Sequence, residues 1–196
     1  MKGLKHLLTR SARGRAAWPE PSHGSVVLRL PQLEDFDEWV SLRKQSRSFL
    51  EPWEPLWTDH EFTWASFRER VRQVEQAAAN DTGYFFLIIH RSQGQIMGGI
   101  NLSNVRRGVA QMGSIGYWMG AEYANRGVMT QAMTAIIDFA FNELALHRLE
   151  AACIPSNAPS IALLNRSGFV QEGQARNYLK IAGAWQDHLL FSRTAG

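Results

Sequence analysis

The segment 116–130 holds residue types that suit a phosphate-bearing ligand. A strand-like run ends near Gly120, a polar turn follows, and a helical run begins at Gly127. The first N–H groups of a helix have no partner inside it and carry the positive end of the helix dipole. Because Gly127 permits close backbone approach and Arg126 adds a cation, the turn is suited to a diphosphate. The alternative is an ordinary helix start after a tight turn, since the segment matches neither the P-loop nor the dinucleotide glycine pattern.

A second polar pair, Asn157 and Ser160, flanks Pro159. Taken alone, these residues predict a helix start, with Asn157 and Ser160 as capping groups and Pro159 in the first turn. Metal chemistry has less support, because the six histidines show no ligand spacing. The single cysteine, Cys153, excludes a thiolate cluster, and its apolar surroundings predict a small core residue. We therefore expect no metal site.

The segment 49–57 offers carboxylates that could accept a proton from an amine. Glu54 is the first candidate for a general base, directly or through water, and Glu51 is the second. The alternative is that both carboxylates are surface or loop-fixing groups. An α-amine has a pKa of ~7.7–8.0 against ~10.4 for lysine, so such an acceptor needs only a weak base.

Aromatic side chains surround the two prolines of the same segment. Phe49 and Trp53 are candidates for a rigid wall beside a shallow slot, where a small N-terminal side chain and its amine would lose water. The alternative is that these aromatic residues only fill the core.

The strand–turn–helix at 116–130 resembles the acetyl-CoA pyrophosphate site of the Gcn5-related N-acetyltransferases, the GNAT family. Their consensus is Arg/Gln-x-x-Gly-x-Gly/Ala, and this chain departs from it with Ala124 at the first position and Met129 at the last. Gly127 is the matched glycine. The RimJ/RimL branch of the family tolerates this departure, and eight ordered segments resemble its RimJ-type members. They are 49–55, 101–105, 107–108, 127–129, 157 with 160, 166–169, 172–173 and 185–188.

The resemblance implies an acetyl-CoA site without a metal. The residues expected to contact acetyl-CoA are Trp118, Met119, Arg126, Gly127, Val128, Met129, Thr130, Asn157 and Ser160. Ser160 is expected near the CoA sulfur. Because Leu164 stands where many relatives carry a tyrosine acid, donation to the leaving thiolate is expected from Ser160 or from water. A backbone N–H near Met119 is expected to polarise the acetyl carbonyl.

The resemblance says less about the base. Ser114 and Leu179 occupy two positions where relatives carry a glutamate, which leaves Glu54 as the candidate. The family places the segment 49–57 on the peptide side of the acetyl group. The expected substrate-binding residues are Phe49, Glu51 and Trp53. His188 is expected to fix a strand rather than to act as a catalyst.

The function implied by the resemblance is acetyl transfer by direct attack of a primary amine on acetyl-CoA. The expected acceptor is the N-terminal alanine of a small-subunit ribosomal protein. Two alternatives stay open at this point. One is a GNAT enzyme for a small amine or amino acid, and the other is a CoA-binding protein without turnover that docks to RNA.

The elements that must position these residues follow the order βααβββαβαββ, an α+β arrangement. Strands are predicted at 25–30, 84–90, 95–105, 112–119, 148–153, 169–181 and 185–193, with the last two joined as a hairpin. Helices are predicted from 33, at 61–79, at 127–144 and at 159–166. The segment 49–57 is predicted to be neither helix nor central strand, because of its prolines. The resemblance implies the same class, a GNAT acyl-CoA N-acyltransferase fold with a mixed, mostly antiparallel sheet flanked by helices.

Composition limits the class of protein. The chain has 196 residues, of which 45% are hydrophobic and 20% charged, so it is long enough for one domain with a sizeable core. No apolar run approaches the ~18–20 residues that span a bilayer, and one cysteine fits a reducing compartment. We expect a soluble, cytoplasmic protein that does not bind membranes.

The net charge of +3 comes from the N-terminal residues. Five of the 21 basic residues lie at 2, 5, 10, 13 and 15, before the first acid at position 20, and the remaining 16 basic and 18 acidic residues give −2. We expect residues 1–24 to be a basic, flexible extension and residues 25–196 to be a single domain. A contact of the extension with RNA or the ribosome is an alternative to plain disorder.

Overall fold

An eight-stranded mixed sheet forms the centre of the protein. The computed structural model describes residues 9–10 and 16–196. Within those ranges the strands are β1 (Thr9–Arg10), β2 (Ala16–Ala17), β3 (Ser22–His23), β4 (Val26–Arg29), β5 (Tyr84–His90), β6 (Ile96–Arg106), β7 (Met112–Met119), β8 (Arg148–Cys153), β9 (Val170–Ile181) and β10 (Ala184–Thr194). The order in the large sheet is β3-β4-β5-β6-β7-β8-β10-β9, and β1 pairs with β2 separately.

Helices flank this sheet. The α-helices of the described residues are α1 (Phe36–Gln45), α2 (Arg47–Leu50), α3 (Trp64–Ala79), α4 (Val128–Asp138) and α5 (Ala158–Arg166). A 3-10 turn precedes both α1 and α3, and a π-helical turn, Phe139–Glu143, extends α4. Thr63 and Asn157 cap α3 and α5, since their side chains accept a hydrogen bond from a backbone N–H of the first turn.

The two faces of the sheet carry separate apolar clusters, because side chains alternate along each strand. On one face, Met133 and Ile136 of α4 and Leu164 of α5 belong to the larger cluster. On the other face, Trp39 of α1 and Phe67 of α3 belong to a smaller cluster. The sheet is therefore the middle of three layers around β4–β7.

The sheet opens where its only parallel pair, among the described strands, lies. β7 and β8 pair at Met112–Ser114 and Arg148–Glu150 alone. Beyond Ser114, β7 continues along β6 as far as Met119, while β8 continues along β10 as far as Cys153. The two strands thus diverge, and we call the space between 115–119 and 151–153 the β7–β8 gap.

The elements predicted from the sequence are confirmed at most positions. Strands at 84–90, 112–119 and 148–153 have the predicted bounds, and the α+β class and the order of the main elements hold. Helix α3 begins later than predicted, because 59–62 forms a 3-10 turn and Thr63 provides the cap. The prediction for 49–57 is wrong in part. Its first residues belong to α2 and to a 3-10 turn, Glu51–Trp53, whose start tolerates a proline.

The predicted boundary at residue 24 falls inside the ordered body. Ser22 pairs with Val27 in the sheet, and the Leu28 N–H donates to the Pro21 carbonyl at 2.8 Å. Trp18 packs against the larger cluster. The reason is a tight turn at Gly24 (φ 56°), which folds this segment back onto β4 as a short hairpin. The basic residues of the extension, and with them its predicted flexibility, lie outside the described residues, except for the backbone of Arg10.

None of the helices in the described ranges combines the length and the apolar character that a membrane span requires. The same ranges hold no group of three or more histidine, cysteine, aspartate or glutamate side chains placed to bind a metal ion.

Candidate active site

The edge of β7 that faces the gap carries backbone donors without a partner on β8. The Gly120 N–H donates to the Met97 carbonyl of β6 at 2.9 Å. Successive N–H groups of an extended chain point to opposite edges, so the Met119 N–H points into the gap. This is the position that the sequence assigned to polarisation of an acetyl carbonyl.

The start of α4 follows the end of β7 after a 3-10 turn. Gly127 is the N-cap residue and lies in the left-handed region at φ 75°. A Cβ at Gly127 would meet nothing within 4 Å, so the backbone here is open to a ligand. Val128 is buried and Met129 packs on the core, so these residues present N–H groups rather than side chains. Arg126 and Thr130 are exposed beside them. A helix start with open N–H groups and a neighbouring cation is suited to an anion, and the binding of a diphosphate here stays a prediction.

We predict that Gly127→Val weakens acetyl-CoA binding at least tenfold, about 1.4 kcal/mol. The branched side chain would fill the open approach to the first N–H groups of α4 and would strain the left-handed backbone. Isothermal titration calorimetry measures the affinity. Gly94→Val is the matched control, because Gly94 also has a positive φ (73°) and open surroundings but lies in the β5–β6 turn. Equal affinities for the two folded variants would remove the diphosphate from this turn.

Ser160 lies at the other side of the gap, in the first turn of α5. The Asn157 Oδ1 atom accepts the Ser160 backbone N–H at 3.2 Å, so Asn157 is the cap and the Ser160 hydroxyl is not. That hydroxyl instead meets the hydroxyl of Tyr117 on β7 at 2.7 Å. The alternative prediction, that the Ser160 side chain is a capping group beside Asn157, is wrong. The Ser160 hydroxyl is therefore available for chemistry at the gap.

Burial shapes the acidity of the groups around Ser160. Burial raises the pKa of Tyr117 to about 12, against the smaller effect of its hydrogen bond with Ser160. Burial also raises the pKa of the Cys153 thiol, and Ser160 acts in the opposite direction. Both groups therefore keep their protons at neutral pH. Cys153 is 6% exposed, as the prediction of a small core residue requires.

The carboxylate of Glu54, the first candidate for a base, accepts three hydrogen bonds. Arg43 donates Nη1 to Oε1 at 2.8 Å and Nη2 to Oε2 at 2.6 Å, and the Trp57 indole N–H donates to Oε2 at 2.8 Å. The Arg43 and Glu54 side chains are 10% and 18% exposed. The geometry thus gives Glu54 the partners of a loop-fixing residue, and its role as a base stays a prediction.

The guanidinium group of Arg43 lies close to two indole rings. Its guanidinium carbon lies 4.2 Å from the centre of the Trp57 ring and 4.7 Å from that of Trp118. Its Nε is the one buried side-chain nitrogen or oxygen of the described residues that has no hydrogen-bond partner. Trp118, predicted to contact the cofactor, therefore places its ring on Arg43 and across Gly99, where an added Cβ would meet the indole Nε1 at 2.3 Å. The contact of Trp118 with the cofactor stays a prediction.

The predicted substrate-binding residues lie in α2 and in the 3-10 turn that precedes the loop 54–57. Phe49 is 42% exposed and Trp53 is half-buried. The Glu51 carboxylate accepts a hydrogen bond from Arg47 at 2.6 Å in an exposed pair. None of these three side chains is fixed by a buried polar partner, which leaves them available to an acceptor.

The same loop touches the tip of the β9–β10 hairpin. The Ala182 N–H donates to the Glu54 carbonyl at 2.8 Å. A Cβ at Gly183 would lie 3.1 Å from Leu56. The two segments, 54–56 and 182–183, are therefore in contact.

Other residues singled out in the sequence have structural surroundings. His188 is 3% exposed, its Nδ1 lies 3.0 Å from the Gln186 carbonyl, and its ring packs edge-on to Tyr178. Leu179 is exposed on β9, and Ser114 lies at the last β7–β8 pair. These positions give no carboxylate to the gap.

Sequence reasoning missed Tyr117 and Arg43. Tyr117 had one detectable signal, since the alternation of β7 places it on the opposite face from Trp118 and toward α5. Arg43 had none, because a basic residue near the end of a helix usually faces water.

The known proteins that this chain resembles in sequence and in structure are acetyltransferases. A family model described as Acetyltransferase (GNAT) domain matches residues 25–170. The probable N-acetyltransferase YjcK of Bacillus subtilis (strain 168) is 33% identical over 164 residues, covering 84% of this chain and 91% of the relative. The ribosomal protein uS5-alanine N-acetyltransferase of Escherichia coli (strain K12) is 32% identical over 171 residues, covering 86% of this chain and 87% of the relative. The solved structure of Mycobacterium smegmatis RimJ in complex with CoA-disulfide has a TM-score of 0.83 and 32% identity, covering 89% of this chain and 86% of that one.

Proposed function

Because this chain belongs to the GNAT family and is an acetyl-CoA-dependent N-acetyltransferase, we propose that its acceptor is the N-terminal alanine of a ribosomal protein. The acceptor class is taken from the uS5-alanine N-acetyltransferase of Escherichia coli, which is 32% identical. The observation that carries the proposal is the β7–β8 gap, with the Met119 N–H on one edge and the Ser160 hydroxyl across from it. A thioester placed in the gap would have its carbonyl oxygen near the Met119 N–H and its sulfur near the Ser160 hydroxyl, and an acceptor amine could attack the carbonyl carbon between them.

The residues around the gap divide the work. Acetyl-CoA, when bound, supplies an acetyl group activated as a thioester. The N–H groups of 128–130 and the Arg126 guanidinium hold the diphosphate, while the Met119 N–H donates to the acetyl oxygen. Asn157 fixes the first turn of α5 by accepting the Ser160 backbone N–H, and we propose that the Ser160 hydroxyl lies beside the sulfur. Catalysis then comes mostly from the relative position of two bound substrates.

The transfer is a direct attack. The acceptor nitrogen attacks the acetyl carbonyl carbon, so that a C–N bond forms and the C–S bond breaks. The electron pair of the broken bond stays on sulfur, where Ser160 donates a hydrogen bond. The proton on the acceptor nitrogen passes to water. Glu54 already accepts three hydrogen bonds, and this favours an acceptor that deprotonates easily, such as an α-amine of pKa ~7.7–8.0.

Apolar surface lies beside the contact between the loop 54–56 and the hairpin tip 182–183. Exposed apolar side chains lie on or next to these two segments, with Leu56 at 65% and Trp185 at 62% exposure. Such a rim favours a peptide over a small polar amine, since a peptide covers apolar surface on both sides of its N-terminus.

The test is a panel of acceptors incubated with acetyl-CoA and analysed by mass spectrometry. A peptide that begins with alanine is expected to gain one acetyl group on its first residue. The same peptide with a blocked N-terminus and a free lysine is the control, and no product is expected from it. Preferred acetylation of polyamines or free amino acids would replace the peptide acceptor with a small amine. Acetyl-CoA binding without any acetylated product would leave a CoA-binding protein.

The basic N-terminal residues are proposed to contact ribosomal RNA. Deletion of residues 1–15 stops before Trp18, which packs against the core, and is expected to leave acetylation of a short peptide nearly unchanged. Binding to ribosomes should weaken and depend less steeply on salt concentration, because fewer phosphates are neutralised. Full-length protein with glutamine at all five basic positions is the charge control. Loss of peptide acetylation in the folded deletion variant, or equal ribosome binding by all three proteins, would contradict this role.

A further inference from the structure

A tyrosine hydroxyl meets the Ser160 hydroxyl beside the gap. Tyr117 Oη and Ser160 Oγ are 2.7 Å apart, and the distance alone allows either atom to donate. The two residues come from β7 and α5, on opposite sides of the divergence between β7 and β8. This contact therefore links the two sides at the level where the sulfur is proposed to lie.

We propose that Tyr117 is a positioning residue for Ser160. Its hydroxyl donates to Ser160 Oγ and so leaves the Ser160 hydrogen free to donate to the CoA sulfur. The inference rests on the proposed function, in which Ser160 faces that sulfur.

The chemistry of the two hydroxyls sets the direction of the hydrogen bond. A phenol is more acidic than an aliphatic alcohol and is the better donor of the pair. Burial keeps the Tyr117 phenol protonated at neutral pH, since it raises its pKa to about 12. A hydroxyl that accepts one hydrogen bond donates a stronger one, because hydrogen bonds in a chain polarise each other. Ser160 thus becomes a better donor toward the gap.

Position 164 explains why a second hydroxyl is needed. Leu164 is 0% exposed and belongs to the larger apolar cluster, so position 164 of α5 gives no hydroxyl to the gap. Tyr117 supplies a phenol from β7 instead. Its pKa lies well above the ~8.5 of an ordinary cysteine thiol, so the Tyr117 proton stays on oxygen. The sulfur leaves as an anion, stabilised through Ser160, and is protonated by solvent.

The test combines turnover with a measurement on bound CoA. Tyr117→Phe is expected to lower kcat about three- to tenfold, the size of one neutral hydrogen bond, with KM for acetyl-CoA within about twofold. It should also raise the pKa of the CoA thiol in the binary complex, followed by the ultraviolet absorbance of the thiolate, by the same three- to tenfold in the ionisation constant. Ser160→Ala and the double variant complete a cycle. The double variant should be no worse than Ser160→Ala, because Tyr117 acts through Ser160.

Tyr84→Phe is the matched control. The Tyr84 hydroxyl also donates to a buried partner, Asp81, at 2.9 Å, but on β5 and away from the gap. It should reproduce any loss of thermal stability while leaving kcat and the bound-thiol pKa unchanged.

Several results would overturn the inference. They are a Tyr117→Phe kcat within twofold of wild type, a bound-thiol pKa that does not change, and defects of the single variants that multiply in the double variant. If Tyr117→Phe does not fold, 3-fluorotyrosine at 117 keeps the size and strengthens the donor. It should lower the bound-thiol pKa, and an unchanged value would again reject the role. Wild type that acetylates no peptide N-terminus rejects the proposed function alone, because the bound-thiol pKa needs no acceptor.

Discussion

Glu54→Gln is expected to lower the free energy of unfolding by about 3 kcal/mol, the lower end of what breaking a buried ion pair costs. The substitution leaves the Arg43 guanidinium, 8% exposed, without its bidentate carboxylate. A second cation, Arg70, adds to this cost. Burial and then the charge of Arg43 lower the pKa of Arg70, whereas the charge of Glu54 raises it, so loss of the Glu54 charge leaves two neighbouring cations less compensated. For a chain of this length the melting temperature should fall by about 6–12 °C, which differential scanning calorimetry measures.

Glu51→Gln provides the matched control for this experiment. Glu51 pairs with Arg47 in the same loop region, but those side chains are 40% and 55% exposed. An exposed pair of this kind contributes less than about 1 kcal/mol, so this variant should keep its melting temperature within a few degrees. Equal stability losses for the two variants would mean that burial does not distinguish the pairs.

Turnover by the folded Glu54→Gln enzyme separates anchoring from base catalysis. If Glu54 only anchors the loop, any loss of turnover should stay constant from about pH 6.5 to 9. If it accepts the amine proton, the loss should shrink as pH passes the α-amine pKa of ~7.7–8.0, because the neutral amine then needs no base. A loss that shrinks, together with unchanged stability, would restore Glu54 to the catalytic machinery.

The elements that position the site follow from local patterns in the sequence. A strand-like run at 112–119 bounded by turn residues and the helical spacing after Gly127 were sufficient to predict β7, α4 and the turn between them. Asn157 and Pro159 predicted the start of α5 for the same reason, since capping is a local interaction. These predictions concern residues whose partners lie within one turn of the chain.

The contacts that define the roles of single residues are not local. Glu54 meets Arg43, 11 positions earlier, and Ser160 meets Tyr117, 43 positions earlier. Such pairs depend on the packing of α1 against a loop and on the divergence of β7 from β8, and neither leaves a periodic signal. The sequence could therefore place Ser160 at a helix start but could not show that its hydroxyl turns away from the cap.

Ser160→Ala is the prediction that tests this hydroxyl directly. A hydrogen bond to a charged atom is worth about 1.5–3 kcal/mol, so turnover should fall roughly ten- to hundredfold. Affinity for acetyl-CoA should stay largely intact, because the interaction strengthens only as charge develops on sulfur.

The control for Ser160→Ala comes from its own helix. The cap of α5 uses the Ser160 backbone N–H and the Asn157 side chain, so Ser160→Ala keeps the cap and should lose only the hydrogen bond with Tyr117, about 1–3 kcal/mol. Asn157→Ala removes the cap and should cost about 1 kcal/mol of stability. Single-turnover acetylation of a peptide beginning with alanine measures the chemical step without product release. Wild-type single-turnover rates in folded Ser160→Ala would remove the hydroxyl from the chemistry. A large loss with the cap intact would instead mean that the oxygen meeting Tyr117 acts on the leaving sulfur.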